Sequence, residues 1–327
     1  MNYAEIEALS ARIMNENIFI QKMKGEIGKV VIGQERMIDR ILMAFLSDGH
    51  ILLEGMPGLA KTLAVRAFAK CIDAEFQRIQ FTPDLLPADL IGTRIYNPRD
   101  MDFFTRRGPL FTNILLADEI NRAPAKVQSA LLQCMEERAV TIGEETHELQ
   151  RPFMVLATEN PIEQEGTYPL PEAQIDRFFM KCIVEYPAPE EEKEILRRHE
   201  SASVDDLETI ISPADMAMKA ELVSGIYIDE KIIDYIVNLV GETRAPKNTA
   251  ARRFIEYGAS PRASIALMKA GRCSAFIRGR GYVTPDDIKE IGRDVLRHRI
   301  ILSYEAEAEG IKPDDAVAMV FDSVEVP

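Results

Sequence analysis

Apolar positions along the chain follow two regimes. Up to about residue 190, segments of helical period alternate with short runs that are apolar throughout. Residues 5–29 and 34–47 predict helices, the second with Ile38, Ile41, Leu42 and Phe45 at three- and four-residue spacing. Between and after them stand His50-Ile51-Leu52-Leu53, Phe76-Gln-Arg-Ile79, Ile114-Leu115-Leu116-Ala117 and Phe153-Met-Val-Leu156-Ala157. Runs of this kind, separated by helices and punctuated by glycine or proline, suit a parallel sheet covered on both faces. After Tyr186-Pro-Ala-Pro189 the pattern predicts helices only. Ser212-Pro213-Ala-Asp215 and Thr284-Pro285-Asp-Asp287 each offer an N-cap hydroxyl, a proline at the first helical position and an acid two residues later. Ile232, Ile233, Ile236, Val237 and Val240, behind a capping Asp229, predict a buried helical stripe. The expected division is an α/β unit over 1–189 and a smaller all-α unit over 190–327.

Length agrees, since 327 residues at about 150 per domain give two. The formal charge of −14 argues against nucleic acid or anionic membranes as partners held by the global field. It is a sum of unlike parts. Residues 243–300 carry 13 Lys/Arg against 5 Asp/Glu (+8) and residues 301–327 carry 1 against 7 (−6), which leaves −16 for residues 1–242. Cys71, Cys134, Cys182 and Cys273 are far apart and form no CxxC pair, as expected of reduced structural thiols. The acidic N-terminus lacks the features of a signal peptide, and no apolar stretch approaches the length of a membrane span. A cytoplasmic location is the expectation.

The candidate chemistry begins where the first apolar run ends. Gly55-Met56-Pro57-Gly58-Leu59-Ala60-Lys61-Thr62 precedes a predicted helix, Leu63 to Lys70, as a phosphate-binding loop requires. Backbone N–H groups and the helix dipole would face phosphate oxygens; Lys61 would reach the β/γ-phosphates and Thr62 would ligate Mg2+. Alanine at position 60, where glycine is usual, is compatible if that residue keeps a negative φ. The run at 114–117 ends in Asp118 and Glu119, placed to hold Mg2+ through water and to polarise an attacking water; a helix-capping pair is the plainer alternative. Asn160, at the tip of the 153–157 run, can orient that water, although Asn-Pro also makes turns. Arg177 is a candidate to stabilise transition-state charge in a neighbouring subunit, and any surface arginine shares its spacing. Arg262, on the first turn of a helix capped by Ser260, opposes the helix dipole, which a nearby anion would rationalise.

These motifs, in this order, resemble AAA+ ATPases, and specifically the MoxR family. The resemblance rests on Leu116-Ala-Asp-Glu-Ile-Asn-Arg-Ala-Pro124, Gln128-Ser-Ala-Leu-Leu132, Met135-Glu-Glu-Arg138, the stretch Ala157 to Phe178, and Val295-Leu-Arg-His-Arg-Ile-Ile-Leu-Ser-Tyr304. It implies a P-loop AAA+ core with a helical lid, an ATP phosphohydrolase using ATP and Mg2+, and a ring that is hexameric in the family pattern. By resemblance, Gly55 to Thr62 and the adjoining Leu63 form Walker A, Asp118 and Glu119 Walker B, and Asn160 sensor 1. Arg177 matches the trans arginine finger, Arg262 matches sensor 2 acting on its own subunit's nucleotide, and Val31 and Ile32 belong to the adenine-cradling segment. Ile91-Gly-Thr-Arg…Phe103-Phe104 resembles a helix-2 insert, and Ala139 to His147 a hairpin before sensor 1. The +8 lid segment is expected beside the triphosphate and an acidic neighbour. Family members mature or remodel protein complexes, often with a von Willebrand A domain partner; this chain has no Asp-x-Ser-x-Ser stretch, so that partner is expected on another polypeptide, and the client is unknown. A nucleic-acid motor, suggested by Arg94, Arg99, Arg106 and Arg107, and a chelatase-like ATPase remain as alternatives.

Overall fold

A computed structural model describes residues 2–162, 166–198 and 203–327. Glu163, Gln164 and Glu165, part of the stretch that carries the family resemblance, lie outside the described residues. The strands are β1 (Ile51–Glu54), β2 (Phe76–Gln80), β3 (Gly92–Asn97), β4 (Asp102–Arg107), β5 (Ile114–Asp118), β6 (Ala139–Ile142), β7 (Glu145–Glu148), β8 (Met154–Glu159), β9 (Met180–Ile183), β10 (Ile255–Tyr257) and β11 (Ile301–Leu302). Five of them form one sheet in the order β2-β5-β8-β1-β9, and every pairing in it is parallel.

The inner strands β1, β5 and β8 are buried along nearly their whole length, which is why they read as continuous apolar runs. The edge strands differ. In β2, Gln77, Arg78 and Gln80 are exposed. In β9, Lys181 interrupts the apolar run and reaches Glu54 at 2.6 Å and Glu159 at 3.6 Å; that interruption hid the strand from the sequence pattern. Helices cover both faces. Helix Lys61–Cys71 follows β1, and helix Glu35–Leu46 lies against β1 and β9 on one side and lid helices Pro213–Ser224 and Pro261–Ile277 on the other. The insert is the antiparallel hairpin β3–β4, and the hairpin β6–β7 precedes β8.

Three expectations change. The helix predicted over 5–29 is two helices, Tyr3–Glu16 and Ile18–Ile27. Asn17 separates them, and its side-chain amide donates to the carbonyls of Phe276 (3.1 Å) and Ile277 (3.3 Å), orphan acceptors at the end of a lid helix. The lid is not helices only, because Ile255–Tyr257 and Ile301–Leu302 pair antiparallel; such short strands carry too little periodicity to see. Val237, assigned to the buried stripe, is 56% exposed, while Tyr235 and Leu239 join Ile232, Ile236 and Val240 inside. The predicted Ser212 cap forms, its hydroxyl accepting from the Asp215 N–H at 3.1 Å, whereas at Thr284 the Asp287 carboxylate does the capping, accepting from the Thr284 N–H at 2.8 Å and from its hydroxyl at 2.9 Å.

A charged joint fastens the lid to the core. Asp294 is fully buried and receives Arg40 at 2.7 Å, Arg36 at 2.9 Å and Arg297 at 2.8 Å. Arg297 also meets Asp314 at 2.7 Å and donates to the Lys181 carbonyl at 3.0 Å. Three donors on one buried carboxylate satisfy it without water, and removing it would strand arginines at a cost of about 3–5 kcal/mol. The four cysteines are buried and free, each thiol pushed up to about 12 by burial.

Candidate functional site

The predicted residues form two clusters at opposite ends of the sheet. At the carboxyl ends of the parallel strands lies a cleft of about 410 Å³, lined by Pro57 to Leu63, Arg78, Gln80, Asp118, Glu119, Thr158, Glu159 and Asn160. This is where ligands bind open α/β sheets. Gly55 leaves β1 so close to Val184 that a Cβ would stand 2.9 Å from its backbone oxygen. Gly58 has φ 85° and Ala60 has φ 56°. Alanine therefore does not keep a negative φ, contrary to expectation. It sits in the left-handed region, which costs an L-residue about 1–2 kcal/mol. The left-handed turns crowd the loop's N–H groups at the start of helix Lys61–Cys71, whose first amides have no intrahelical partner, and make a positive cradle.

Lys61 folds back onto the Gly55 carbonyl. Burial pushes its ammonium below the usual value, against the pull of Asp118, Glu119 and Glu54. The Thr158 hydroxyl orders both acids at the end of β5. It donates to Asp118 Oδ1 at 2.6 Å and accepts from the Glu119 N–H at 2.8 Å. Asp118 Oδ2 also receives Arg78, and Glu119 Oε2 receives Gln80 at 2.7 Å and Arg122 at 2.9 Å. Glu119 itself is left-handed, φ 56°, which turns its carboxylate off the strand line. Asn160 is buried, and its side-chain oxygen accepts from the Ile162 N–H at 3.3 Å.

Arg177 and Arg262 are elsewhere. They line a second cleft of about 400 Å³ with Asp48, His50, Glu136, Arg138, Asp176, Lys269 and Arg299. His50 immediately precedes β1 and Phe179 precedes β9, so this cleft lies at the amino ends of those strands. Four residues of β1 separate the two ends by about 13 Å. Glu136 holds both arginines, Arg177 through Oε2 at 3.0 Å and Arg262 through Oε1 at 2.8 Å. Asp176 joins lid to core, receiving buried Arg299 at 2.8 Å and the Ser260 hydroxyl at 2.8 Å. Burial lowers Arg299 to about 10, with Asp176 opposing. His50 is fully buried; its Nδ1 accepts from the Val155 N–H, and burial, reinforced by Arg138, holds its pKa near 3. It adds no charge to the cleft.

The expectation that Arg262 serves its own subunit's nucleotide is therefore not met, since its helix begins beside Asp176 and Glu136 rather than beside the phosphate loop. Val31 is buried in the core and Ile32 is half-buried; neither lines the cleft at Lys61. The +8 segment is also explained otherwise. Arg253 meets Glu305 and Glu309, Arg278 meets Glu290, Arg280 meets Asp287, and Arg297 meets Asp314. The acidic C-terminal segment offsets part of the net charge through Glu305, Glu309 and Asp314, and Arg262 and Arg299 are lid arginines turned to core carboxylates at the amino-end cleft.

The geometry is that of a glycine-containing loop after β1 and an acid pair at the end of β5, on either side of β8 in a parallel sheet, with a helical lid. A family model described as "ATPase family associated with various cellular activities (AAA)" matches residues 50–180, and one for an AAA lid domain matches residues 247–319. The protein named Chaperone MoxR1 from Mycobacterium tuberculosis is 48% identical over 92% of this chain and 81% of its own length. Protein MoxR from Methylorubrum extorquens is 31% identical over 94% of each chain. The chain belongs to the MoxR family of AAA+ ATPases. A crystal structure of a protein from Cytophaga hutchinsonii is 49% identical and superposes with a TM-score of 0.90 over 99% of this chain and 98% of that one. As in the family, the fold is a mixed α/β core with an AAA lid. Among the described residues no helix is long and apolar enough to cross a membrane.

Sequence reasoning missed Arg78, Gln80, Thr158, Glu136, Asp176 and Arg299 as members of the two clefts. Arg78 and Gln80 were visible as polar residues in a strand of an otherwise apolar sheet. Glu136 carried no signal, because its role comes from a helix end brought against two distant arginines.

Proposed function

We propose that this MoxR-family chain hydrolyses ATP at the interfaces of a closed ring, a hexamer by resemblance to its family, and uses the cycle to remodel or mature a protein complex. The supporting observation is the division of the site between opposite ends of one sheet. A single subunit cannot bring Arg177 and Arg262 to the nucleotide at its own phosphate loop. Head-to-tail association brings the amino-end cleft of one copy to the carboxyl-end cleft of the next, and repetition closes a ring.

Within one interface, the amides of residues 58–62 and Lys61 hold the phosphates of ATP. Thr62 and Asp118, a hydroxyl and a carboxylate lining the same cleft, are hard oxygen donors that fit Mg2+. When bound there, Mg2+ would supply charge neutralisation of the phosphates. Glu119, once released from Gln80 and Arg122, takes the proton of the attacking water, and Asn160 fixes that water's position. The neighbour supplies Arg177 and Arg262 to the charge that develops on the γ-phosphate. The lid moves with its arginine because Ser260 and Arg299 tie it to Asp176. The chaperone role is supported by the name of the Mycobacterium relative, while a separately encoded von Willebrand A domain partner and an unidentified protein client rest on the family resemblance alone.

The experiment that tests the nucleotide site is calorimetry on Lys61→Ala. ATP binding should be lost; affinity equal to that of the unaltered protein would contradict the assignment.

A further inference from the structure

Resting on the nucleotide-site reading above, we propose that Arg78 is the internal counter-ion of Asp118 in the metal-free subunit and yields that carboxylate to the divalent cation, so that its charge sets how tightly the site takes the metal. Strand β2 is the sheet edge, and its register places Gln80 opposite Asp118 and Arg78 two residues back on the same face. From there Arg78 reaches along the sheet, and both its donors converge on one oxygen: Nε at 3.1 Å and Nη2 at 2.6 Å from Asp118 Oδ2. Two donors use both lone pairs of that oxygen. The other oxygen, Oδ1, accepts the Thr158 hydroxyl.

The two partners of Asp118 differ in how firmly they are held. Thr158 is 1% exposed, and its hydroxyl is also fixed by the Glu119 N–H. The Arg78 side chain is 48% exposed, and among the described residues its one other bond is to the Gln80 side chain at 3.1 Å. An incoming cation, or water bound to it, therefore takes Oδ2 by displacing Arg78 into solvent, while Thr158 keeps the carboxylate aimed. Arg78 touches no reacting atom in this account and is a positioning residue.

The test is the affinity for mant-ADP of the full chain, measured in EDTA and in saturating Mg2+, for the unaltered protein, Arg78→Ala and Arg78→Lys. A half-exposed ion pair predicts that Arg78→Ala tightens binding about threefold to fivefold in Mg2+, leaves binding in EDTA unchanged, and that Arg78→Lys returns toward the unaltered value. Binding in Mg2+ no tighter than that of the unaltered protein overturns the proposal. A several-fold loss in EDTA also overturns it, since Arg78 would then hold phosphate rather than Asp118. Parallel losses in both conditions, with the ratio fixed, assign Arg78 a structural role and overturn it as well. Failure of the unaltered protein to bind mant-ADP under either condition would sink the nucleotide-site reading itself, a result distinguishable from the others.

Discussion

The two clefts use charge in opposite ways. The residues lining the carboxyl-end cleft include Lys61 and Arg78 against Asp118, Glu119 and Glu159, or 2 − 3 = −1. Those lining the amino-end cleft include Arg138, Arg177, Arg262, Lys269 and Arg299 against Asp48, Glu136 and Asp176, or 5 − 3 = +2. In the first, Asp118 and Glu119 stand beside the loop that follows β1, held by Arg78 and Arg122 respectively. In the second, one carboxylate, Glu136, stands between two arginines where a phosphate could be. Each cleft is only partly balanced by its own chain, and the residual charges are of opposite sign. In the proposed head-to-tail arrangement the −1 cleft of one copy meets the +2 cleft of the next, so the complementarity would run between copies.

The sharpest way to break this comparison is Arg177→Ala. Removing a trans arginine should lower ATP turnover on the order of a thousandfold, while nucleotide affinity measured on dilute, unassembled subunits stays unchanged. A loss of affinity in the lone subunit would put Arg177 in the wrong cleft. Arg262→Ala sharpens the same contrast with a smaller effect, about a hundredfold in turnover, in the range of a lost transition-state donor. Its affinity in isolated subunits should also stand, and a drop there would restore the own-subunit role that the fold argues against. The smallest effect concerns the loop alone. Ala60→Gly relieves a left-handed alanine and should raise stability by about 0.5–1 kcal/mol, net of the extra freedom glycine gains in the unfolded chain. Thermal unfolding without nucleotide reads this, and a lower midpoint would mean that the alanine is not strained.

How much was legible in the sequence follows the same division. The carboxyl-end cleft was read almost whole, because its parts are contiguous: Gly55 to Thr62 follow one strand, Asp118 and Glu119 end another, and Asn160 follows a third. Local order suffices when a parallel sheet gathers strand ends at one edge. The amino-end cleft was read only as single residues. Arg177 and Arg262 stood out, but nothing local says that Glu136, 126 residues from Arg262 along the chain, joins them. Nor does local order show that Arg299 and Ser260 meet at Asp176. The own-subunit role for Arg262 failed for that reason, since it depended on where a lid of seven or more elements comes to rest. The conformation of Ala60 failed differently: residue type gives a preference in φ, and the loop's need for a tight turn overrides it.

The central claim is that one catalytic site takes its two halves from two subunits. The direct measurement is ATP turnover in mixtures of Glu119→Gln subunits with subunits carrying both Arg177→Ala and Arg262→Ala. Each preparation alone should be nearly inactive. Mixed in equal amounts they should regain turnover, because some interfaces then pair an intact Glu119 with intact neighbouring arginines. Turnover of the mixture no greater than the sum of its parts, with assembly confirmed by light scattering, would contradict the account.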